Sequence, residues 1–235
     1  MKIKVLEHLF QLLNILLEEG KPMSVAELSR RSGIEKNAAW RIVSDLCEQG
    51  YLRRISYRTV EPGPGLLFLG QGAYSEAFFP RLVYRELRKT EKEIGVSCTL
   101  AGLFHRHVIY FYRSDQLFES WRWPLYGSNI ALCILTRRDG PEQAHDFLAA
   151  ELRAAGLPGD EEKALLTEIE KNIDHVVKRG YCVQHSTLGN NIAFPLVHGR
   201  EVYGLAFYLI PNDERKLSQL IASCSRLRAR LTAEE

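Results

Sequence analysis

The chain has 235 residues, 46% of them apolar, and 31 basic against 29 acidic side chains, which suits a small domain plus a medium one and leaves net charge too balanced to name a partner. Its longest apolar runs, such as Ile130 to Leu135, fall far short of the roughly 20 residues a bilayer span needs, and Glu7 and His8 interrupt the N-terminal apolar run, so neither a membrane helix nor a secretory signal is expected and the chain reads as cytoplasmic. Five widely separated cysteines (Cys47, Cys98, Cys133, Cys182, Cys224) include no Cys-x-x-Cys pair, which argues against a disulfide framework and a zinc site; no metal or cofactor is expected.

Charge is unevenly placed. Residues 1–62 hold ten Lys/Arg against eight Asp/Glu, and the rest balances at 21 of each sign. Within residues 30–58 the surplus sharpens to seven basic against three acidic, a modest basic patch of the kind a phosphate-binding module carries.

In chain order, Val5, Leu6, Leu9, Leu13, Leu16 and Leu17 recur at helical spacing and Gly20-Lys21-Pro22 stops them, which predicts a first helix from about Ile3 to Glu18. Ser24-Val25-Ala26-Glu27 is a capping box opening a short second helix that ends at Ser32-Gly33. A third helix, about Glu35 to Gln49, sets Ala39, Ile42, Val43 and Leu46 on one face and Asn37, Trp40, Arg41 and Ser44 on the other. After Gly50, Tyr51 to Ile55 and Tyr57 to Val60 read as two short strands joined by a tight turn.

Helix, short helix, turn, polar-faced helix and basic hairpin is the order of a winged helix-turn-helix. A major groove about 12 Å wide admits one helix, and only its outer stripe and first turn reach base edges. That assigns Lys36, Asn37, Trp40, Arg41 and Ser44 to the groove, with Ser24 at the preceding helix start, and Arg53, Arg54 and Arg58 to phosphates. Asn37 suits adenine and Arg41 suits guanine or a phosphate, whereas Trp40 either covers its own domain or meets a thymine methyl or sugar. Arg53 and Arg54 have the alternative of solvated edge-strand charges.

The run Pro22 to Arg41, with Leu46, Gly50-Tyr51-Leu52 and Gly63-Pro64-Gly65-Leu66-Leu67-Phe68-Leu69-Gly70, resembles the DNA-binding domain and linker start of the IclR family of bacterial transcription regulators. Glu35, Ala38 and Trp40 stand where that family usually has Pro, Thr and His. The resemblance implies an α+β chain: a winged helix-turn-helix over 1–62, a linker helix over 63–78 and a GAF-like effector-binding domain over 79–235. In the last, Leu82 to Ile94 reads as a helix, Val96 to Leu103 and His107 to Arg113 as a strand pair, and about Pro141–Ala155 and Glu161–Arg179 as helices. Strands follow at Arg179-Gly180-Tyr181, Asn191 to Leu196 and Val202 to Leu209, then a helix from Asp213 to Leu231, and the family sheet has six strands. His105-Arg106-His107 lies at the turn of the first strand pair and lacks a third ligand for a metal.

By the same resemblance, Trp123 to Ala131 delivers a helix N-terminus to a small-molecule pocket, where backbone amides attract anions. Ser128, Asn129 and Ile130 are the expected contacts, Gln184, Asn191, Phe207 and Leu209 take the places of the family's deeper polar residues, and Trp121 and Tyr126 line the space. Fewer hydroxyls imply a larger effector, aromatic or largely apolar. If Phe207 and Leu209 are ordinary core residues, the protein is instead a ligand-independent repressor.

Function on this reading is binding to a palindromic operator in double-stranded DNA as a homodimer or homotetramer, the helix from about Gly65 to Ala77 (Leu66, Leu67, Leu69, Ala73) serving as dimer contact or, alternatively, packing onto its own domain. A winged helix that binds protein or RNA is a second reading. An enzyme using Cys98 or Cys182 with His185 is a third, unsupported by any nucleophile elbow, Walker loop or dinucleotide fingerprint.

Overall fold

The computed structural model describes residues 3–76, 81–114, 124–186, 189–210 and 214–232. The chain divides into two units, Met1–Phe79 and Pro80–Glu235.

In the first unit, α1 (Lys4–Glu19) buries Leu12, Leu13 and Leu16 and stops at Gly20, whose left-handed conformation lets its N–H return to the Leu16 carbonyl. A two-residue strand, β1 (Met23–Ser24), leads into α2 (Val25–Ser32) and then α3 (Lys36–Glu48). The hairpin is β2 (Leu52–Arg54) and β3 (Thr59–Pro62), and α4 (Pro64–Glu76) follows within the same unit. The antiparallel sheet runs β1-β3-β2. Leu12, Leu16, Met23, Leu28, Ala39, Val43, Leu52 and Val60 form one core beneath it.

The hairpin differs from the sequence reading. The turn is the four-residue stretch Ile55 to Arg58, and β3 begins at Thr59 rather than Tyr57. Burial decides this: Leu52 and Val60 are the inward residues, and of the five residues between the paired Arg54 and Val60, Ile55 to Arg58 stay in solvent while Thr59 is half-buried. Ser56 closes the turn, its hydroxyl accepting from the Thr59 amide at 3.2 Å. At Gly63 the chain passes so close to the α3–β2 junction that a β-carbon would lie 2.4 Å from the Gly50 carbonyl oxygen, a contact only glycine avoids.

The second unit contains α5 (Arg81–Ile94), β4 (Ser97–Phe104), β5 (His107–Arg113), a single tight turn at Leu125–Gly127, α6 (Asn129–Arg138), α7 (Pro141–Ala154), α8 (Gly159–Arg179), β6 (Cys182–Ser186), β7 (Gly189–His198), β8 (Glu201–Ile210) and α9 (Glu214–Thr232). Its sheet is antiparallel throughout, in the order β5-β4-β8-β7-β6. Five strands are found among the described residues, not the six of the family resemblance; the residue patterns themselves carry five.

Alternation along the strands gives the sheet two apolar faces. One, with Ala101, Ala193 and Ala206, packs under α6, α7 and α8. The other is covered by α5 and α9, whose Leu87, Leu220, Cys224 and Leu227 are buried.

Small residues let α6 sit close. A β-carbon at Gly204 on β8 would lie 2.5 Å from Ile130 Cγ2 and 3.2 Å from the Ile130 carbonyl oxygen. Ile130 is itself buried and β-branched, so it has no alternative rotamer to give. Gly204→Ala is therefore expected to push α6 off the sheet and destabilise the second unit by about 1–3 kcal/mol, read as a lower melting temperature. An unchanged melting temperature would contradict this seating.

Candidate nucleic-acid interface

The exposed face of α3 is made by what its other face buries. With Ala39, Ile42, Val43 and Leu46 turned into the core, Lys36, Asn37 and Arg41 are exposed, and Trp40 and Ser44 half-buried. No hydrogen bond or ion pair engages the side chains of Lys36, Asn37 or Arg41 among the described residues.

The start of α3 is closed by Glu35, whose carboxylate accepts from the Asn37 amide at 2.9 Å and the Ala38 amide at 3.0 Å. These bonds, with the favourable helix N-terminus, make Glu35 an anionic cap. They hold the Glu35 carboxyl below the usual carboxylate range. A group lowered in the fold stabilises it fully above that range and ceases to do so as pH falls through the lowered value. Protection of the Asn37 and Ala38 amides, taken relative to their intrinsic exchange rates at each pH, is therefore expected to fall on acidification in the wild type, and Glu35→Gln is expected to remove most of that pH dependence; equal pH dependence of protection in the two proteins would contradict the cap.

Ser24 is occupied in its own helix cap, its hydroxyl accepting from the Glu27 amide at 3.1 Å. Glu19 at the end of α1 receives Lys21 at 2.9 Å and also Arg31 from α2, which together pull its carboxyl down to about 2. That ties α1 to α2 and uses up Arg31.

On the hairpin the three arginines part company. Arg53 Nε donates to Glu61 Oε1 at 2.8 Å, with a second contact from Nη2, so the cross-strand pair cancels its charge locally. The Arg54 guanidinium lies 4.6 Å from the Trp40 ring centroid, donates from Nη2 to Ser44 Oγ at 2.9 Å and from Nη1 to the Tyr57 carbonyl at 3.3 Å. Arg58 is exposed and makes no side-chain bond or ion pair among the described residues. The sequence pattern assigns all three to phosphates, with solvated edge-strand charge as the alternative for Arg53 and Arg54. The structure leaves Arg58 uncommitted and engages the other two, because Glu61 stands opposite Arg53 and Trp40 stands under Arg54. Trp40 accordingly covers its own domain, with Tyr57 tilted against it at 5.9 Å between centroids.

In the second unit, Ser128 caps α6, its hydroxyl accepting from the Ala131 amide at 3.2 Å, and Asn129 Nδ2 donates to Gln184 Oε1 at 3.3 Å. Tyr126, Ser128, Asn129, Asn172 and Gln184 border a cleft of about 20 Å³, room for about one water and well below the roughly 300 Å³ of small ligand pockets. Asn172 on α8 is 3% exposed, and its amide has no partner among the described residues. Sequence reasoning missed it, although an asparagine within the buried stripe Ile169, Ile173 and Val176 was the available signal.

Asn191 stands opposite Gln184 on β7, hence on the same face. Ile130 faces Gly204 rather than the cleft. Phe207 is a correction: fully buried and paired with Cys98 and Ile192, it lies on the α5/α9 face, because Ala206 beside it faces α6. Leu209 falls in β8 with its side chain outside the described residues, as does Trp121 altogether. A roomier groove, about 710 Å³, runs between α7 and α8, away from every predicted contact.

Cys182 and His185 do not pair. Their odd separation puts them on opposite faces of β6, with Cys182 Sγ 3.6 Å from Cys133 Sγ and His185 Nδ1 2.7 Å from Asn190 Oδ1. His105 and His107 flank a turn whose Arg106 pairs with Glu151, and no three His, Cys, Asp or Glu residues converge on a metal position among the described residues.

The family model for the IclR helix-turn-helix domain matches residues 5–56. An IclR family transcriptional regulator from Brucella abortus superposes with a TM-score of 0.75 at 16% identity, covering 96% of this chain and 92% of that one. A regulator of the same type from Alicyclobacillus acidocaldarius gives 0.68 at 18% identity over 99% of each chain. An IclR homolog from Microbacterium hydrocarbonoxydans, solved in complex with 4-hydroxybenzoate, gives 0.65 at 18% identity over 97% of this chain and 99% of that one. No curated protein matches the chain in sequence.

Proposed function

We propose that this chain, an IclR-type helix-turn-helix carried on the fold of the IclR-family transcriptional regulators, binds promoter DNA and answers to a small molecule. One observation carries the DNA half. Lys36, Asn37 and Arg41 stand exposed and uncommitted on the outer stripe of α3, with Arg58 on the adjoining hairpin. Helix donors of these types pair with base edges, and the flanking cations neutralise phosphates.

The binding form is a homodimer or homotetramer on a palindromic operator, its half-sites about 34 Å apart. On α4, Leu67 and Phe68 are 71% and 75% exposed, a surface that partner burial would cover, whereas Leu66 packs into its own domain. Ala73 has its side chain outside the described residues. No described helix is long and apolar enough to cross a membrane, in keeping with action on cytoplasmic DNA.

The effector enters at the α6 N-terminus. Free amides there, with Asn129, Asn172 and Gln184, favour a small anion bearing hydrogen-bonding groups, and Tyr126 adds an aromatic wall. An aromatic carboxylate of the 4-hydroxybenzoate type fits that chemistry, provided that the Asn129–Gln184 bond opens. The narrow cleft also favours a second reading, a ligand-independent repressor.

The test is titration of a duplex spanning the DNA upstream of the chain's own gene at about 50 mM and about 200 mM salt. Binding with a steep salt slope supports the proposal. Absent duplex binding, or affinity indifferent to salt, returns the winged helix to a protein or RNA partner. Adding 4-hydroxybenzoate to the same titration separates the ligand-responsive reading from the ligand-independent one.

A further inference from the structure

Of the hairpin's cations, Arg54 is built into the protein. One face of its guanidinium lies over the Trp40 ring, one nitrogen donates to the Ser44 hydroxyl of α3, and another donates to the Tyr57 carbonyl at the tip of the hairpin's own turn. Trp40 and Ser44 sit one helical turn apart on the outer stripe, so a single planar group spans the reading helix and the wing. A cation meant for a phosphate keeps its donor fork free, and here the fork is directed at two protein acceptors.

The rest of the wing is held at its base, by the Arg53–Glu61 pair, the β1–β3 pairing and the Val25 amide donating to the Arg58 carbonyl at 3.1 Å, which leaves the turn tip to Arg54 and the Trp40–Tyr57 ring contact. β2 is three residues long, Ile55 to Arg58 are all exposed, and Tyr57 is 78% exposed. Its turn is closed by backbone bonds from Ile55 and Ser56 to the Thr59 carbonyl at 3.1 and 3.4 Å. From this arrangement we infer that Arg54 is a positioning residue, which clasps the wing to α3 through Trp40 and sets where Arg58 meets the duplex. Its purpose rests on the DNA-binding reading; the clasp itself does not.

Arginine is required on physical grounds. Lysine keeps the charge, but as a point ammonium it offers neither the planar face that stacks on indole nor two donors at the fixed spacing of Ser44 Oγ and the Tyr57 carbonyl. A phosphate contact would tolerate the exchange far better.

The experiment compares Arg54→Gln, Arg54→Lys and Arg58→Gln in the full chain. Amide exchange of residues 53–60 without DNA is expected to rise about fivefold in both Arg54 variants and to stay at the wild-type level in Arg58→Gln. Unchanged exchange in Arg54→Gln, or full rescue by Arg54→Lys, would overturn the clasp. In the duplex titration Arg54→Gln is expected to lose about fivefold in affinity at constant salt slope, whereas Arg58→Gln lowers the slope by about 0.9, the value for one phosphate. An equal fall in slope in Arg54→Gln would make it a phosphate contact and overturn the inference. If the wild type binds no duplex, the DNA-binding reading fails while the exchange measurement still decides the clasp.

Discussion

Replacing Asn37 and Arg41 together by alanine is expected to weaken binding to a specific duplex by about a hundredfold or more, with no change in melting temperature. Both residues are exposed on α3 and neither side chain has a partner among the described residues, so their removal takes nothing from the fold. Each bidentate contact to a base edge contributes about 1–3 kcal/mol of discrimination, and two such contacts account for the loss. Non-specific binding to an unrelated duplex should fall much less, since Lys36 and Arg58 remain to neutralise phosphates. A double variant that binds the specific duplex as tightly as wild type would remove α3 from the interface.

The second large effect is one of stability. Leu28 on α2 is completely buried in the first unit, within the core that Leu12, Leu16, Val43 and Leu46 share. Leu28→Ala leaves a cavity and is expected to cost about 2–5 kcal/mol. A unit of this size has a small core and little stability in reserve, so the loss is expected to split the thermal transition in two. The first unit melts early and DNA binding fails at moderate temperature, while the second unit keeps its own transition. A variant with a single, unshifted transition would contradict a separate core beneath α3.

What the sequence disclosed follows from how local the determining forces are. Periodicity and caps placed α1, α2 and α3 to within one or two residues, since Ser24, Gly20 and Gly33 act on their own helices. Strand β1 was not legible: two residues have no period, and only the pairing of Met23 with Val60 defines it. The hairpin slipped for a related reason. The run from Tyr51 to Val60 alternates well enough in either register, and the burial of Leu52 and Val60 against distant helices makes the choice.

The site was legible in type and less so in role. Composition marked Arg53, Arg54 and Arg58 alike as basic, yet their roles depend on Glu61 and Trp40, which fold brings to the first two. Phe207 was assigned to the pocket by its position in the family pattern. A single step of strand parity puts it on the far face of the sheet instead, and parity is a property of the folded register. Asn172 is the reverse case: its signal, a polar residue in an apolar helical stripe, is present in the sequence, but only the folded cleft gives it a neighbourhood that singles it out.

The most direct test is the footprint of the duplex on the protein, read as amide exchange across the full chain with and without saturating upstream DNA. Slowed exchange concentrated in residues 35–44 and 53–59 is the result expected of a major-groove helix flanked by a wing. Protection confined to the second unit, with those two segments exchanging as they do in the free protein, would contradict it.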